Sequence, residues 1–153
     1  MYEGAPVSST RIRQTLEAGD IRAANAMLGR PFRIHGTRFA GKGEGRSLGY
    51  PTINLRPSED AVNLPKGVYL LTIGAAQAIA NYGQAPTFGE RAWEKSVWEI
   101  HLLEEPVGSL DAIASAEVHA FLRPERTFSS IFDLQAQIAR DIAHAQKIFE
   151  DLT

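Results

Sequence analysis

Short apolar or β-branched stretches alternate with turns rich in glycine, proline or charged residues through the middle of the chain. Each stretch has the length of a typical strand, and the residues between them are those that interrupt strands. Because no regular alternation of strands and helices occurs, this pattern favours an antiparallel sheet or a small barrel over a doubly wound fold. The predicted strands lie near 32–39, 52–55, 67–73, 77–82, 97–103 and 115–122.

Helix signals occupy the amino-terminal part of the chain, ahead of the strands. Ser9 or Thr10 can cap a short helix that ends before Gly19. Asp20 can cap a second helix, which closes at Gly29. We therefore expect a short helical segment before the first strand.

The last part of the chain has apolar residues at helical spacing. Such a period places them on one face of an amphipathic helix, for which Thr127 can serve as the cap. We expect this long helix to cover the sheet or barrel. The apolar positions are Ile131, Leu134, Ile138, Ile142, Ala145, Phe149 and Leu152.

Composition limits the classes of function. A chain of 153 residues, 44% of them hydrophobic, can form one main domain with its own core. The absence of cysteine excludes disulfides, thiolate metal sites and cysteine nucleophiles. A net charge of −2 without a long basic run gives no broad electrostatic reason to bind nucleic acid, so we expect no nucleic-acid partner. Because no secretory signal or membrane-spanning apolar stretch is evident, we expect a soluble, cytoplasmic protein that does not bind membranes.

A glycine-spaced basic loop lies ahead of the second predicted strand, around the run GRSLGYPTINL at residues 45–55. Closely spaced glycines let backbone N–H groups approach an anion that side chains would otherwise obstruct. The loop matches neither GxxxxGK[ST] nor GxGxxG. The residues alone leave open both phosphate binding and a flexible surface hairpin whose glycines only form turns. The glycines and cations concerned are Gly41, Lys42, Gly43, Gly45, Arg46 and Gly49.

Thr52 and Asn54 follow this loop at a spacing of two residues. Pro51 biases Tyr50 toward an extended conformation, so a strand can begin here with both side chains on one face. Hydroxyl and amide oxygens are hard ligands, which Mg²⁺ accepts beside phosphate oxygens. The pair is therefore a candidate metal and phosphate site.

Glu99 is a carboxylate within the strand-like run VWEIHLLEE. If Glu99 and His101 face solvent or the mouth of a barrel, simple alternation explains them without any function. Two residues on one face of a strand are a weak indication of a zinc site, so we favour a structural role for His101. The residues alone therefore leave a catalytic role for Glu99 open.

Taken together, these motifs resemble the riboflavin kinase family, including the carboxy-terminal kinase module of bacterial bifunctional FAD synthetases. Such kinases have a glycine-rich loop followed by a Pro-Thr-Ala-Asn motif. The resemblance implies a mainly β fold, a six-stranded antiparallel Greek-key barrel with a long C-terminal α-helix and a short N-terminal helical segment. Further similar blocks follow in the family's order: LPKGVYLL at 64–71, ANYGQAPTFG at 80–89, WEIHLLEE at 98–105, FLRPERTF at 121–128 and LQAQIARDIAHAQ at 134–146.

The resemblance also implies a division of the chain. Residues 1–31 are similar to the end of an FMN adenylyltransferase domain, and residues 32–153 are similar to the kinase domain. Because residues 1–31 contain neither a nucleotide-binding layer nor a histidine-bearing loop, we do not expect FMN adenylylation by this chain.

The activity implied by the resemblance is ATP- and Mg²⁺-dependent phosphorylation of riboflavin, the substrate, to FMN, the product. Glu99 corresponds to the general base that accepts the proton of the terminal ribityl hydroxyl, and Thr52 and Asn54 correspond to residues that engage Mg²⁺ and ATP phosphates. The resemblance assigns nucleotide binding to Gly43, Arg46 and Gly49, flavin binding to Arg123 and Phe128, and mainly architecture to Asn81, Pro86, Thr87 and Phe88.

Three departures from the family pattern keep other functions open. Ile53 replaces the alanine of the Pro-Thr-Ala-Asn motif, and Ala85 stands where many members have arginine. Leu110 and Asp111 stand where an Asp-Leu-Tyr-Gly element would supply tyrosine and glycine. A flavin- or nucleotide-binding regulatory module with weak or no catalysis is the alternative, and an interaction domain that uses the barrel alone is a third possibility.

Overall fold

A computed structural model describes residues 4, 6–39, 52–58, 61–83, 96–104, 114–124 and 130–152, without the side chains of residues 131, 134, 135 and 152. The predicted strand positions and the predicted helices at both ends are confirmed within these ranges. The elements are α1 (Ser9–Glu17), α2 (Ile21–Leu28), β1 (Phe32–Arg38), β2 (Thr52–Pro57), β3 (Gly67–Ile73), β4 (Ala76–Gly83), β5 (Val97–Leu102), β6 (Ser115–Pro124) and α3 (Ile131–Leu152).

The strands form a closed barrel in the order β1-β2-β5-β4-β3-β6. Every neighbouring pair is antiparallel. Strands β3, β4 and β5 lie side by side, and β6 returns to pair with β3, which is the Greek-key arrangement. Because closure leaves no free sheet edge, every strand has a partner on both sides. The predicted barrel is therefore confirmed.

The interior of the barrel is apolar and extends into the amino-terminal helices. Ile53, Trp98 and Ile100 line it and are at most 2% exposed. Leu16 of α1 and Ile21 of α2 belong to the same buried cluster. The amino-terminal helices and the barrel thus share one core. The predicted kinship of residues 1–31 with an adenylyltransferase domain stays a prediction.

Asn25 links α2 by hydrogen bonds to the neighbouring strands β1 and β6. Its Nδ2 donates to the carbonyl of Val118 over 2.9 Å, and its Oδ1 accepts from the backbone N–H of Phe32 over 2.8 Å. One side chain therefore satisfies a backbone group on each of two adjacent strands. This contact joins the helical segment to the barrel by hydrogen bonds as well as by apolar packing.

The cap of the first helix differs from the prediction. Ser8, in an extended conformation, accepts a hydrogen bond from the backbone N–H of Arg11 over 3.1 Å. Ser9 and Thr10 already lie inside α1, so their prediction as caps is wrong. The next boundaries agree with the prediction: Asp20 caps α2 through the N–H of Ala23, and Gly29 ends it in the left-handed conformation at φ 75°.

Helix α3 covers part of the barrel's outer face. Ala145 and Phe149 pack with Leu70 of β3 and Ile79 of β4 in a second buried cluster. The Oγ of Ser130 accepts from the backbone N–H of Asp133 over 3.2 Å at the start of the helix. Thr127, predicted as the cap, lies outside the described residues. In the described part of the chain no helix is long and apolar enough to cross a membrane.

Candidate active site

Three adjacent strands, β2, β5 and β4, bring the predicted polar residues together. Thr52 lies opposite His101 and Asn54 opposite Glu99 in the register of β2 with β5. On the other side of β5, Asn81 of β4 also lies opposite Glu99. Residues that face each other across antiparallel strands project from the same side of the sheet. We call Thr52, Asn54, Asn81, Glu99 and His101 the outer polar strip.

The outer polar strip lies on the outside of the barrel, because the residues between its members point inward. Ile53 lies between Thr52 and Asn54 and is 0% exposed. Ile100 separates Glu99 from His101 and is also 0% exposed. The interior thus accommodates Ile53 on the face opposite Thr52 and Asn54, as alternation predicted.

His101 lies between two of the predicted site residues. Its Nδ1 is 3.3 Å from the Oγ1 of Thr52, and its Nε2 is 3.5 Å from Oε1 of Glu99. The side chain of His101 is 12% exposed, whereas that of Glu99 is 30% exposed. Glu99 therefore stays accessible to a small molecule while His101 is largely covered.

Burial lowers the pKa of His101 to about 4. The imidazolium loses solvation in this position, and the neutral ring is favoured. A neutral imidazole carries one N–H donor and one acceptor nitrogen. His101 is therefore neutral at physiological pH, with different roles for its two ring nitrogens.

The oxygen donors of the outer polar strip fit Mg²⁺. Thr52 offers a hydroxyl and Asn54 an amide, and Glu99 adds a carboxylate directly across from Asn54. Mg²⁺ commonly takes few protein ligands when substrate phosphates and water supply the others. Over the described ranges no cluster of three or more His, Asp or Glu side chains could hold a metal ion. The donors of the outer polar strip are therefore of the type that Mg²⁺ takes when other oxygen ligands complete its coordination.

Arg123, predicted at the flavin, lies on the same outer face but has a partner on α3. Its Nε and Nη2 donate to the two carboxylate oxygens of Asp141 over 2.9 and 2.8 Å. Gln137 donates to the same carboxylate over 2.9 Å. The bidentate hydrogen bonding between Arg123 and Asp141 holds the guanidinium in one orientation. Sequence reasoning did not find Asp141 and Gln137, because their spacing along α3 is typical of any polar helix face.

Strand register places Arg123 and Glu99 in one cross-strand row. Arg123 lies opposite Val68, Val68 opposite Asn81, and Asn81 opposite Glu99. With a strand spacing of about 4.8 Å, the two ends of this row are roughly 14 Å apart along the sheet. Asn54 extends the row by one further strand. Residues that are distant in the sequence thus line a single path over the barrel.

Several predicted residues lie outside the described ranges. They are Gly43, Arg46 and Gly49 of the loop, Ala85, Pro86, Thr87 and Phe88, the departures Leu110 and Asp111, and Phe128.

The sequence predicts structural roles for two residues of the outer polar strip. Asn81 lies opposite Glu99, and His101 touches two candidate site residues. The spacing of two between Glu99 and His101 was the available signal for the latter.

A solved structure supports the fold. A crystal structure described as a macrolide-efflux protein from Streptococcus pneumoniae matches this chain with a TM-score of 0.75 and 27% identity. The match covers 94% of this chain and 48% of that one. The description of that protein names no kinase, so the functional comparison depends on the sequence relatives.

The sequence relatives agree with one another. Bifunctional riboflavin kinase/FMN adenylyltransferases from Bacillus subtilis strain 168, Pseudomonas fluorescens and Escherichia coli strain K12 are 32%, 35% and 34% identical to this chain. Each match covers 95% of this chain and 47 or 48% of the relative, so the chain spans about half their length. The family model for riboflavin kinase matches residues 28–149. The chain belongs to the riboflavin kinase family.

Proposed function

We propose that this chain transfers the γ-phosphoryl group of ATP to the terminal ribityl hydroxyl of riboflavin, producing FMN and ADP. The observation that carries the proposal is the register of β2 and β5, which sets the Glu99 carboxylate beside Asn54 and, through His101, near Thr52. Phosphoryl transfer needs an aligned hydroxyl, neutralised phosphate charge and a nearby proton acceptor. A part-exposed carboxylate next to two neutral oxygen ligands supplies the acceptor and part of the phosphate site.

Glu99 is the general base in this proposal. As the ribityl hydroxyl oxygen bonds to the γ-phosphorus, the bond from phosphorus to the β,γ-bridging oxygen breaks and ADP leaves. The hydroxyl proton passes to a carboxylate oxygen of Glu99. Because 30% of its side chain is exposed, Glu99 can meet a hydroxyl that approaches from outside the barrel.

Thr52 and Asn54 hold the phosphate end of the reaction. Their oxygens would hold Mg²⁺, and the ion would supply charge neutralisation when it is bound with ATP. The resemblance of residues 41–49 to the family's nucleotide-covering loop supports Gly43, Arg46 and Gly49 as further contacts to ATP. Both assignments are part of the proposal.

The flavin ring lies toward Arg123 in this proposal, with Phe128 as the second flanking residue. The cross-strand row supports this orientation, because Arg123 lies roughly 14 Å from Glu99 on the same face. Such a separation suits a substrate with a planar ring at one end and a reactive hydroxyl at the end of a flexible chain. Asp141 holds the Arg123 guanidinium in place for contact with a planar group.

The test is FMN formation by the purified chain with riboflavin, ATP and Mg²⁺, compared with the variant Glu99→Gln. We expect the variant to fold and bind ATP but to lose about 10²-fold or more in turnover, because the positioned proton acceptor is gone. The matched control is Glu117→Gln, which removes a strand carboxylate that pairs with Arg33 at 3.2 Å on β1. This control should keep its turnover.

Two results would contradict the proposal. Near-normal turnover of Glu99→Gln would remove Glu99 as the base. Tight flavin binding by the unsubstituted chain without FMN formation would favour the regulatory module instead. Flavin fluorescence in the same sample separates these results from a protein that binds no flavin.

A further inference from the structure

The contacts of His101 differ from those of a histidine that only fills space. Both of its ring nitrogens point at side chains of the outer polar strip, toward Thr52 at 3.3 Å and toward Glu99 at 3.5 Å. Its cross-strand neighbour on β4 is the apolar Ile79, whose side chain can offer no hydrogen bond. The polar contacts of the ring therefore connect two residues with different proposed roles.

The chemistry of the two partners assigns the proton on the ring. An ionised carboxylate only accepts hydrogen bonds, so a hydrogen on the nitrogen that faces Glu99 is the arrangement in which this contact is favourable. In a neutral ring the other nitrogen is then an acceptor, and the hydroxyl of Thr52 has to be its donor. A threonine hydroxyl that donates its hydrogen to the ring can still turn its oxygen, as an acceptor or ligand, toward a cation or a donor group.

We propose that His101 is a positioning residue that, with a hydrogen on Nε2, orients the Thr52 hydroxyl and the Glu99 carboxylate at the same time. The catalytic consequence depends on the proposed kinase function, whereas the tautomer and the two contacts of the ring do not. The 3.5 Å separation from Glu99 is longer than a normal hydrogen bond, and catalytic contacts of this kind commonly tighten when substrate binds. Partners that orient a reacting group or a metal ligand in this way typically contribute about 10- to 100-fold.

Two substitutions of His101 each keep one of its two contacts and remove the other. Asparagine has an amide where the Nδ1 of histidine lies, so His101→Asn keeps a partner for Thr52 and loses the contact with Glu99. Glutamine reaches the position of Nε2, so His101→Gln keeps a donor for Glu99 and loses the acceptor for Thr52. We expect kcat to fall about 10-fold or more in His101→Asn, and KM for Mg-ATP to rise about 10-fold in His101→Gln. Equal losses of kcat, with unchanged KM, in both variants would overturn the proposal.

The matched control is another histidine paired with a threonine on the barrel's outer face. His119 Nε2 is 2.7 Å from the Oγ1 of Thr72, and its ring lies against Phe149 rather than against Glu99. His119→Asn should lower the thermal unfolding midpoint by a similar amount to His101→Asn and leave kcat and KM unchanged. The same change of kcat in His119→Asn would show that the effect at His101 is a general loss of packing, and would overturn the proposal.

Imidazole ¹⁵N NMR of the full chain at pH 7.5 tests the tautomer without any activity measurement. The chain has four histidines, and the His101→Asn spectrum identifies the resonances that belong to His101. We expect a protonated Nε2 and an unprotonated Nδ1, and we expect Thr52→Val to shift the Nδ1 resonance. A ring protonated on Nδ1, or on both nitrogens, would overturn the proposal even if the chain is a kinase. If the chain forms no FMN but shows the expected tautomer, the kinase proposal fails while the hydrogen-bond assignment stands.

Discussion

The inner and outer faces of strands β2 and β5 have opposite chemistry, although their residues alternate along the same short segments. Ile53 and Ile100 on the inner face are 0% exposed and belong to the apolar core. Thr52, Glu99 and His101 on the outer face form a polar contact network. Because the side-chain period of a strand is two, one segment can serve the core and a chemical site at once. Neighbouring positions should therefore respond to substitution in different ways.

The largest effect is expected on the inner face. Ile100 lies between Glu99 and His101 in the sequence, but its side chain points into the core. Ile100→Ala removes buried methyl groups there, and it should lower the free energy of unfolding by about 2–5 kcal/mol. Urea denaturation followed by tryptophan fluorescence measures the change, since Trp98 lies in the same core. Glu99→Gln, one residue away, should change the stability by much less. A stability loss below about 1 kcal/mol for Ile100→Ala would contradict the division between the faces.

The second effect concerns a polar residue that is nevertheless buried. The pKa of His101 is lowered from 6.5 to about 4 by burial, so the unfolded chain binds a proton in this range while the folded chain does not. Stability should therefore fall as the pH decreases from 6.5 toward 4, and the contribution of His101 amounts to about 3 kcal/mol. Above pH 6.5 this loss is absent. Urea denaturation between pH 4 and 7.5 measures how the free energy of unfolding changes with pH.

The matched comparison for this pH dependence is His101→Asn, which removes the titrating ring. Carboxylates and His119, whose pKa burial also lowers, titrate in both proteins. The difference between the two curves therefore isolates His101. If the unfolding free energies of the two proteins change with pH in parallel, the ring of His101 is more solvated than its position on β5 indicates.

The smallest effect is expected on the outer face. Asn54→Ala removes an amide that lies opposite Glu99 and is only partly buried. Under the proposed function, KM for Mg-ATP should rise about 10-fold, equivalent to about 1.4 kcal/mol, with little change in unfolding free energy. A Mg²⁺ titration of the initial rate measures it. An unchanged dependence on ATP and Mg²⁺ would remove Asn54 from the phosphate site.

Local signals in the sequence predicted most of the elements. Strand positions followed from short apolar stretches between turns, and Asp20 and Gly29 marked the ends of α2 correctly. The cap of α1 was predicted wrongly because Ser8, Ser9 and Thr10 all have a side-chain hydroxyl that can cap a helix. Only the backbone conformation distinguishes among them: Ser8 is extended, with φ −140° and ψ 161°, whereas Ser9 and Thr10 are helical.

The site was predicted in part, and the missing part has a physical cause. Alternation put Thr52 and Asn54 on one face and Glu99 and His101 on one face. It could not show that these faces coincide, because that depends on the pairing of β2 with β5. For the same reason the link of His101 to Thr52 could not be foreseen. The roles of the loop glycines and Phe128 stay predictions.

The residue pattern along the chain was enough to predict the strands, the helices, the two-residue alternation and the family to which the chain belongs. These features depend on residues that are close along the chain or on motifs in a characteristic order. Two features became visible only in the folded chain: one row contains Arg123, Asn81, Glu99 and Asn54, and α1 and α2 share the barrel's core. Register and closure depend on contacts between distant segments, and these contacts form only when the barrel buries its interior.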